Sequence, residues 1–308
     1  MLKSNSVARP EKMDPSKVIG FEGPLLTSQF SSKDAILYAL SIGYSKDPLN
    51  AKELGFTYEL DDDFRVVPSA ATVMTGLDLF EMITLCPDFP EFDPIKILHG
   101  EQRVDLLKPL KDNVTYYSRT RIEDVQDKIK GALLVLKVTS SLNQDLSDPT
   151  CVQYFALFIR GIGGYETEKK NYTNLFASPK LSGGPVKVLR QKTDPSQALL
   201  YRLNGDNNPL HADPMIGEAA GFDRPILHGL CTYGIVTKNI IEFFCNHNVK
   251  VVAKIVGRFV GHVFPGETIV ISAELVGDKV VFSATTEERG KEVIQGFIQL
   301  APPEQPKL

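Results

Sequence analysis

Gly229-Leu-Cys-Thr-Tyr-Gly-Ile-Val-Thr-Lys-Asn-Ile-Ile-Glu-Phe-Phe244, with the four runs behind it at 253–260, Thr268–Val276, 279–285 and 293–300, decides the fold. The first run is apolar over most of its length and free of proline, so it reads as one long buried helix. The later runs switch to a period of two, in which alternate side chains face opposite sides of a sheet. A long helix followed by about four antiparallel strands predicts an α+β unit whose curved sheet wraps the helix.

The first half of the chain repeats this order. An apolar stretch at 70–83 reads as its long helix, and Ile97–Leu106, 114–124, 131–139 and 151–159 read as its strands. A short helix opens each half. In the first, Ser31 and Asp34 are spaced as a capping box, Ile36, Leu37 and Leu40 follow, and Gly43 is the stop. In the second, Asp194 is the cap, Pro195 sits where its missing N–H costs nothing, Gln197 closes the box, and the turns run over 198–203 to Gly205. Pro109 and Pro265 each follow the first strand after the long helix, which aligns the halves. In that alignment Leu98-His99-Gly100 and Leu227-His228-Gly229 occupy different positions, so their likeness is no sign of repetition. The pattern predicts a double hot-dog, with a first repeat at 18–160, a linker at 161–185, a second repeat at 186–301 and a tail at 302–308. Gly161-Ile-Gly-Gly164 follows a strand but opens no helix, so it is read as linker and not as a phosphate loop.

Composition sets outer bounds. At 308 residues and 43% hydrophobic content the chain can bury a sizeable core, and 34 basic against 38 acidic residues give a net charge of −4, with no global positive field for nucleic acid or an anionic membrane. Cys86, Cys151, Cys231 and Cys245 lack C-x-x-C spacing and read as buried thiols in a reducing compartment. Residues 1–17 hold no apolar run of signal-peptide or membrane-span length, so neither secretion nor a membrane span is expected. The last three residues, Pro306-Lys307-Leu308, differ from the Ser-Lys-Leu peroxisomal address only at the first position; the bland alternative is a frayed proline-rich tail.

Polar function concentrates between the two helices of the second half, in Tyr201-Arg-Leu-Asn-Gly-Asp206-Asn-Asn-Pro-Leu-His211-Ala-Asp213 and on through Pro225-Ile-Leu-His228-Gly229. Pro209 breaks the segment, which lets Asp206 and His211 fold back toward one point and share a water. Adding water across a double bond conjugated to a carbonyl, one reaction such a pair can serve, takes a base for the water, an acid for the carbon, and donors for the developing enolate-like oxygen. Asp206 and His211 supply the first two. Backbone N–H groups at Gly229, where the long helix begins, supply the third, and glycine lets a ligand approach. Each residue also has a plainer reading: Asp206 as an Asx turn or cap, His211 as a satisfied structural histidine. A metal site with His228 lacks helical i,i+4 ligand spacing, and no metal or redox cofactor is expected.

The whole string resembles the hydratase 2 signature of the MaoC-like hot-dog family: an aromatic, an apolar residue, Gly-Asp-x-Asn-Pro-Leu-His, a spacer and Ala. Pro225-Ile-Leu-His-Gly-Leu-Cys-Thr232 and Gly257-Arg-Phe-Val with Phe264-Pro-Gly-Glu-Thr268 extend the resemblance to roughly residues 30–300. It implies an (R)-specific 2-enoyl-CoA hydratase of peroxisomal β-oxidation that makes (3R)-3-hydroxyacyl-CoA reversibly. The catalytic Asp falls on Asp206, the His on His211 and the supporting Asn on Asn208. CoA-thioester contacts fall on His99 and Gly100, on Lys128 beside Asp127, on Gly229 and on Phe259. Lys128 would meet a phosphate and Phe259 would pack on the ligand; their plainer roles are a solvated turn charge and core packing. Glu59 is an accessory position, and Asp213 and His228 orient the site. The first repeat lacks the signature, which fits a non-catalytic repeat that makes room for bulky acyl chains, with one active site per chain. An acyl-CoA substrate, a peroxisomal import receptor for the tail and a second copy in a homodimer are the implied partners.

The multifunctional members of that family carry a dehydrogenase and a sterol-carrier module that this chain does not show, and no Gly-x-Gly-x-x-Gly dinucleotide motif occurs. Alternatives at this stage are a dehydratase acting on acyl carrier protein, a hot-dog protein that binds acyl thioesters without chemistry, and a thioesterase.

Overall fold

The computed structural model describes residues 9–76, 79–165 and 172–301. The tail from 302 onward, with Pro306-Lys307-Leu308, lies outside the described residues. Ten strands, β1 (Leu26–Phe30), β2 (Ile97–Leu106), β3 (Val114–Asp127), β4 (Gly131–Ser141), β5 (Pro149–Arg160), β6 (Lys187–Lys192), β7 (Val252–Phe259), β8 (Thr268–Val276), β9 (Lys279–Thr286) and β10 (Glu292–Leu300), form one antiparallel sheet in the order β1-β3-β4-β5-β2-β7-β10-β9-β8-β6. The order reads outward from the centre as the same five-strand pattern twice, which is the double hot-dog. The two halves join where β2 pairs with β7, from Glu101 opposite Arg258 to Asp105 opposite Lys254.

Among the described residues seven α-helices accompany the sheet: α1 (Pro15–Val18), α2 (Ser32–Ser41), α3 (Leu54–Thr57), α4 (Leu79–Leu85), α5 (Gln197–Tyr201), α6 (Pro214–Ala219) and α7 (Gly229–Cys245). The alternating strands put apolar residues such as Val104, Ile255, Ile271, Phe282 and Ile294 on one face, packed with α2 and α7 in the main core. The opposite face carries Ala156, Val256, Val281 and Phe297. There, residues read as linker do structural work: Phe176 is buried on that face, Arg103 donates to Leu175 O at 3.1 Å, and Ser182 is hydrogen-bonded to Glu274.

Three sequence expectations need correction. The stretch 70–83 is not one helix. Pro68–Thr72 forms a 3-10 turn, Gly76 takes a left-handed φ of 60°, and among the described residues of this stretch α-helix is found only at Leu79–Leu85. The β-branched Thr72, Val73 and Thr75 with Gly76 outweigh the apolar content that suggested a helix. Two edge strands, β1 and β6, went unread because short, half-wet edges leave little alternation. The Ser31–Asp34 capping box forms in full, but at α5 only half does: Gln197 Oε1 accepts Asp194 N at 3.1 Å, while the Asp194 carboxylate pairs with Lys46 at 2.9 Å.

The second half completes the first. At the C-terminus of α2 the carbonyls have no helical partner. Gln191 Nε2 donates to Ile42 O at 2.9 Å, the Gln197 side chain donates to Ser41 O, and Asn204 Nδ2 donates to Ser41 Oγ at 3.0 Å. Deeper in, Lys238 of α7 pairs with Glu53 at 3.0 Å, both nearly fully buried.

Candidate active site

The site is built on the loop between α5 and α7. Helix α5 runs into a 3-10 turn and stops at Gly205, whose φ of 113° turns the chain outward. Asp206 follows, and its Oδ1 accepts Asn208 N at 3.2 Å. Asn208 Oδ1 accepts Leu210 N at 3.0 Å and caps the 3-10 turn Pro209–His211. This nested turn swings His211 back over the loop. Its Nδ1 donates to Ile226 O at 2.8 Å, which leaves Nε2 as the basic nitrogen.

Ile226 sits in the run leading to α7. Leu227 N donates to Val263 O at 2.7 Å, and the extended His228 starts the helix. The first helical bonds are made by Cys231 N and Thr232 N to His228 O. The N–H groups of Gly229 and Leu230 therefore have no partner in the preceding turn, and they carry the positive end of a 17-residue helix.

His228 lies flat against His211, ring centroids 3.7 Å apart at 27°. Its Nε2 is 3.4 Å from Asp206 O and 4.0 Å from Asp206 Oδ2. One polar side-chain atom from each of Asp206, His211 and His228 falls within 4.8 Å of the others. Two groups that each hold one tetrahedral water at about 2.8 Å stand roughly 4.6 Å apart, so the spacing suits a shared water. A metal fits less well, because the two imidazole planes are stacked 3.7 Å apart and an imidazole binds a metal in its own plane, which no single centre can satisfy for both rings.

Burial sets the electrostatics. His228, with only 1% of its surface exposed, is held neutral with its pKa pushed down to about 2, first by desolvation and then by repulsion from His211. Desolvation also lowers His211, partly countered by the Ile226 carbonyl and the Asp206 charge. Both imidazoles are therefore neutral near pH 7. The Asp206 side chain keeps 43% of its surface in solvent.

The residues expected from the sequence to contact a thioester lie along and beyond the β2–β7 seam. Phe259 lies on Gly229 so closely that a Cβ there would meet its ring at 3.3 Å. His99 packs edge-on to Phe259 at 5.0 Å and stacks on Phe155 at 5.5 Å, and burial lowers its pKa to about 4. Gly100 is the bulge where the β2–β5 register shifts between His99 and Glu101. Lys128 stands at the tip of the β3–β4 hairpin, at the same end of the sheet as His99, since Gly131 pairs with Arg160 and Ile97 with Ile159. Asp213 caps α6 by accepting Met215 N at 2.8 Å, beside the loop but not aimed into it. Glu59 is not brought to the site. It is exposed on a loop whose neighbours Gly55, Asp61 and Asp63 border a hollow with Asn246 and His247, beyond the far end of α7 and roughly 25 Å from Gly229 along the helix. Sequence reading missed the Ile226 carbonyl that fixes the His211 tautomer and the Phe155 ring under His99; neither leaves a sequence signal, since one is backbone and the other an ordinary strand residue.

A double hot-dog with an acid, a neutral histidine and a helix N-terminus at one point defines the hydratase and dehydratase class of that fold. Residues 28–161 match the MFE-2 hydratase 2 N-terminal domain, and residues 178–296 match the MaoC like domain. "Enoyl-CoA hydratase 2, peroxisomal" of Arabidopsis thaliana is 37% identical over 88% of this chain and 90% of its own length. "Peroxisomal multifunctional enzyme type 2" of Mus musculus is 33% identical over 92% of this chain and 38% of its own. A solved MaoC-like dehydratase from Phytophthora capsici superposes with a TM-score of 0.82 at 32% identity, covering 95% of this chain and 99% of that one. The chain belongs to the enoyl-CoA hydratase 2 family, and with it to the hydro-lyases. No helix among the described residues is long and apolar enough to cross a membrane.

Proposed function

We propose that the protein reversibly hydrates trans-2-enoyl-CoA to (3R)-3-hydroxyacyl-CoA in peroxisomal β-oxidation. The convergence of Asp206 and His211 in front of the Gly229 helix end carries this reading. A water held between the two gives a proton to His211 Nε2 or the Asp206 carboxylate while its oxygen attacks C3. The electron pair of the double bond moves toward the thioester carbonyl, whose oxygen the Gly229 N–H stabilises, and C2 takes a proton from the pair. Asn208 holds the turn that aims both groups, and Phe259 and His99 form the wall against which the thioester lies. The division of the chain follows: residues 18–160 as the non-catalytic repeat, 161–185 as the connection, 186–301 as the catalytic repeat.

Two relatives named peroxisomal and the Pro306-Lys307-Leu308 ending support import through the peroxisomal receptor. Pairing into a homodimer belongs to the same proposal. The deciding experiment mixes pure protein with trans-2-decenoyl-CoA and follows the enoyl-thioester absorbance, with chiral analysis of the product. Loss of the band with (3R)-3-hydroxydecanoyl-CoA formed is expected. An unchanged band with folded protein would overturn the CoA reading, and the acyl-carrier-protein thioester would then be assayed. An (S) product would overturn the stereochemistry alone.

A further inference from the structure

Behind His228, away from the dyad, the interior is polar where the core should be dry. Tyr201 packs on His228 with centroids 4.9 Å apart, and Tyr38 of the first repeat lies 6.2 Å beyond Tyr201. Tyr38, Tyr201 and Ser69 are 0% exposed and His228 1%. Tyr38 Oη, Ser69 Oγ, Tyr201 Oη and His228 Nδ1 make no hydrogen bond with protein atoms. Ser69 beside Tyr38, and Thr72 beside both phenols, stand close enough for long hydrogen-bond contacts that favour the charged phenolates slightly, while the Thr72 hydroxyl donates to Ser69 O at 2.9 Å. Helix α7 makes room for this cluster. At Gly234 a Cβ would stand 2.8 Å from Tyr38 Oη.

Orphaned polar atoms are rare in cores because each carries its full desolvation cost, and several gathered in one place mark the partners of an ordered internal water. The tautomer of His228 points the same way. Its Nε2 faces the carbonyl and carboxylate of Asp206, both acceptors, so Nε2 carries the proton and Nδ1 is an acceptor in need of a donor.

We propose that Tyr201 is a positioning residue for the dyad: bridged to His228 Nδ1 by an internal water shared with Tyr38 and Ser69, it holds His228 in the tautomer whose Nε2–H faces Asp206. The inference rests on the dyad assignment above. The first repeat thus reaches the chemistry from behind, through Tyr38 and Ser69, with no residue of its own at the reacting atoms.

The test combines kinetics and crystallography of the full chain. Tyr201→Phe is expected to lower kcat for trans-2-decenoyl-CoA about fivefold to tenfold with KM unchanged, the size of one net hydrogen bond. In a His228→Gln background, which keeps a donor toward Asp206 but has no Nδ1, the same change is expected to do nothing further. Equal losses from Tyr201→Phe in both backgrounds, or no loss in either, would overturn the proposal. Should Tyr201→Phe fail to fold, Ser69→Ala with the same cycle replaces it. A crystal structure fine enough to show solvent is expected to place a water within hydrogen-bond distance of Tyr201 Oη and His228 Nδ1; a direct Tyr201–His228 bond or a dry gap would overturn the bridge. Asp206→Asn run alongside separates the two readings, because an active Asp206→Asn refutes the dyad, whereas an inactive one with a normal Tyr201→Phe refutes only this inference.

Discussion

The two repeats share a turn and differ in what they hang on it. After α2 and its stop at Gly43, Asp47 Oδ1 accepts Leu49 N at 2.9 Å across Pro48; after α5 and Gly205, Asn208 Oδ1 accepts Leu210 N at 3.0 Å across Pro209. The backbone device is the same. In the first repeat the residue after Asp-Pro-Leu is Asn50, and two before Asp47 stands Ser45; in the second these places hold His211 and Asp206. The first repeat also breaks at Gly76 the stretch that would match the long helix, and among the described residues just beyond it Leu79–Leu85 is α-helical. An Asx–Pro turn is therefore cheap structure, and on the proposed mechanism the second repeat differs in hanging an acid, a base and a helix end on it together.

The comparison breaks first if chemistry survives without the second repeat's pair. Asp206→Asn and His211→Ala are each expected to lower kcat about 10²- to 10⁴-fold, the range for a positioned acid or base, and Asp206→Asn should leave the melting transition in place because Asp206 is half exposed. Near-normal turnover in either folded variant would return both residues to their plainer roles as cap and structural histidine.

The next largest effect concerns what welds the repeats together. Lys238 on α7 meets Glu53 of the first repeat at 3.0 Å and Glu242 at 3.3 Å, with the Tyr44 ring 5.2 Å from its ammonium. Lys238→Met strands the Glu53 carboxylate in the core and is expected to cost about 3–5 kcal/mol of stability, with most of it regained in Glu53→Leu/Lys238→Met. Thermal unfolding should remain a single transition in both. A separate transition for one half would show that the repeats are independent units tied only by the β2–β7 seam.

Each repeat also sets a desolvated, neutral histidine with a strongly lowered pKa against the site, the half-buried His99 in the first and the buried His228 in the second. Their folded pKa values, about 4 and about 2, lie below the ordinary value of 6.5, so the unfolded chain binds more protons once pH drops below 6.5. Stability is therefore full above that value and is lost as pH falls toward the folded values. Between pH 7 and pH 5 each histidine is expected to remove about 2 kcal/mol. Urea denaturation at the two pH values tests this, with His99→Gln removing about 2 kcal/mol of the difference. An unchanged pH dependence in that variant would mean that His99 is solvated.

The second repeat was far more legible than the first, for a physical reason. Its long helix is uninterrupted by proline and its strands alternate cleanly, so local pattern and final structure agree. In the first, 70–83 is as apolar as a helix yet broken by Thr72, Val73, Thr75 and Gly76, and apolar content alone could not weigh backbone strain against burial. The approach of Asp206 to His211 was readable because they lie five residues apart on one turn. His228 is 17 residues past His211, and its stacking on that ring is a product of how the α7 start meets the loop, which no spacing announces. Glu59, read from resemblance, fell a helix length away because a short string fixes local conformation and not the direction in which a covering loop runs.

The smallest expected effect isolates what the first repeat gives to binding. Lys128 is exposed on the β3–β4 hairpin, its Nζ 3.0 Å from Gln126 Oε1, at the sheet end where His99 and Phe259 meet. A solvated lysine that meets a phosphate contributes about 1 kcal/mol or less, and salt screens it over a Debye length of roughly 10 Å at 0.1 M. Lys128→Ala is expected to raise KM for an enoyl-CoA about threefold at low salt, with kcat unchanged and the difference gone in high salt. Against an enoyl-pantetheine thioester, which lacks the nucleotide phosphates, the variant should match the parent chain. A fall in kcat at constant KM would instead put Lys128 in the chemistry, and the first repeat could no longer be described as a binding half set beside a reacting one.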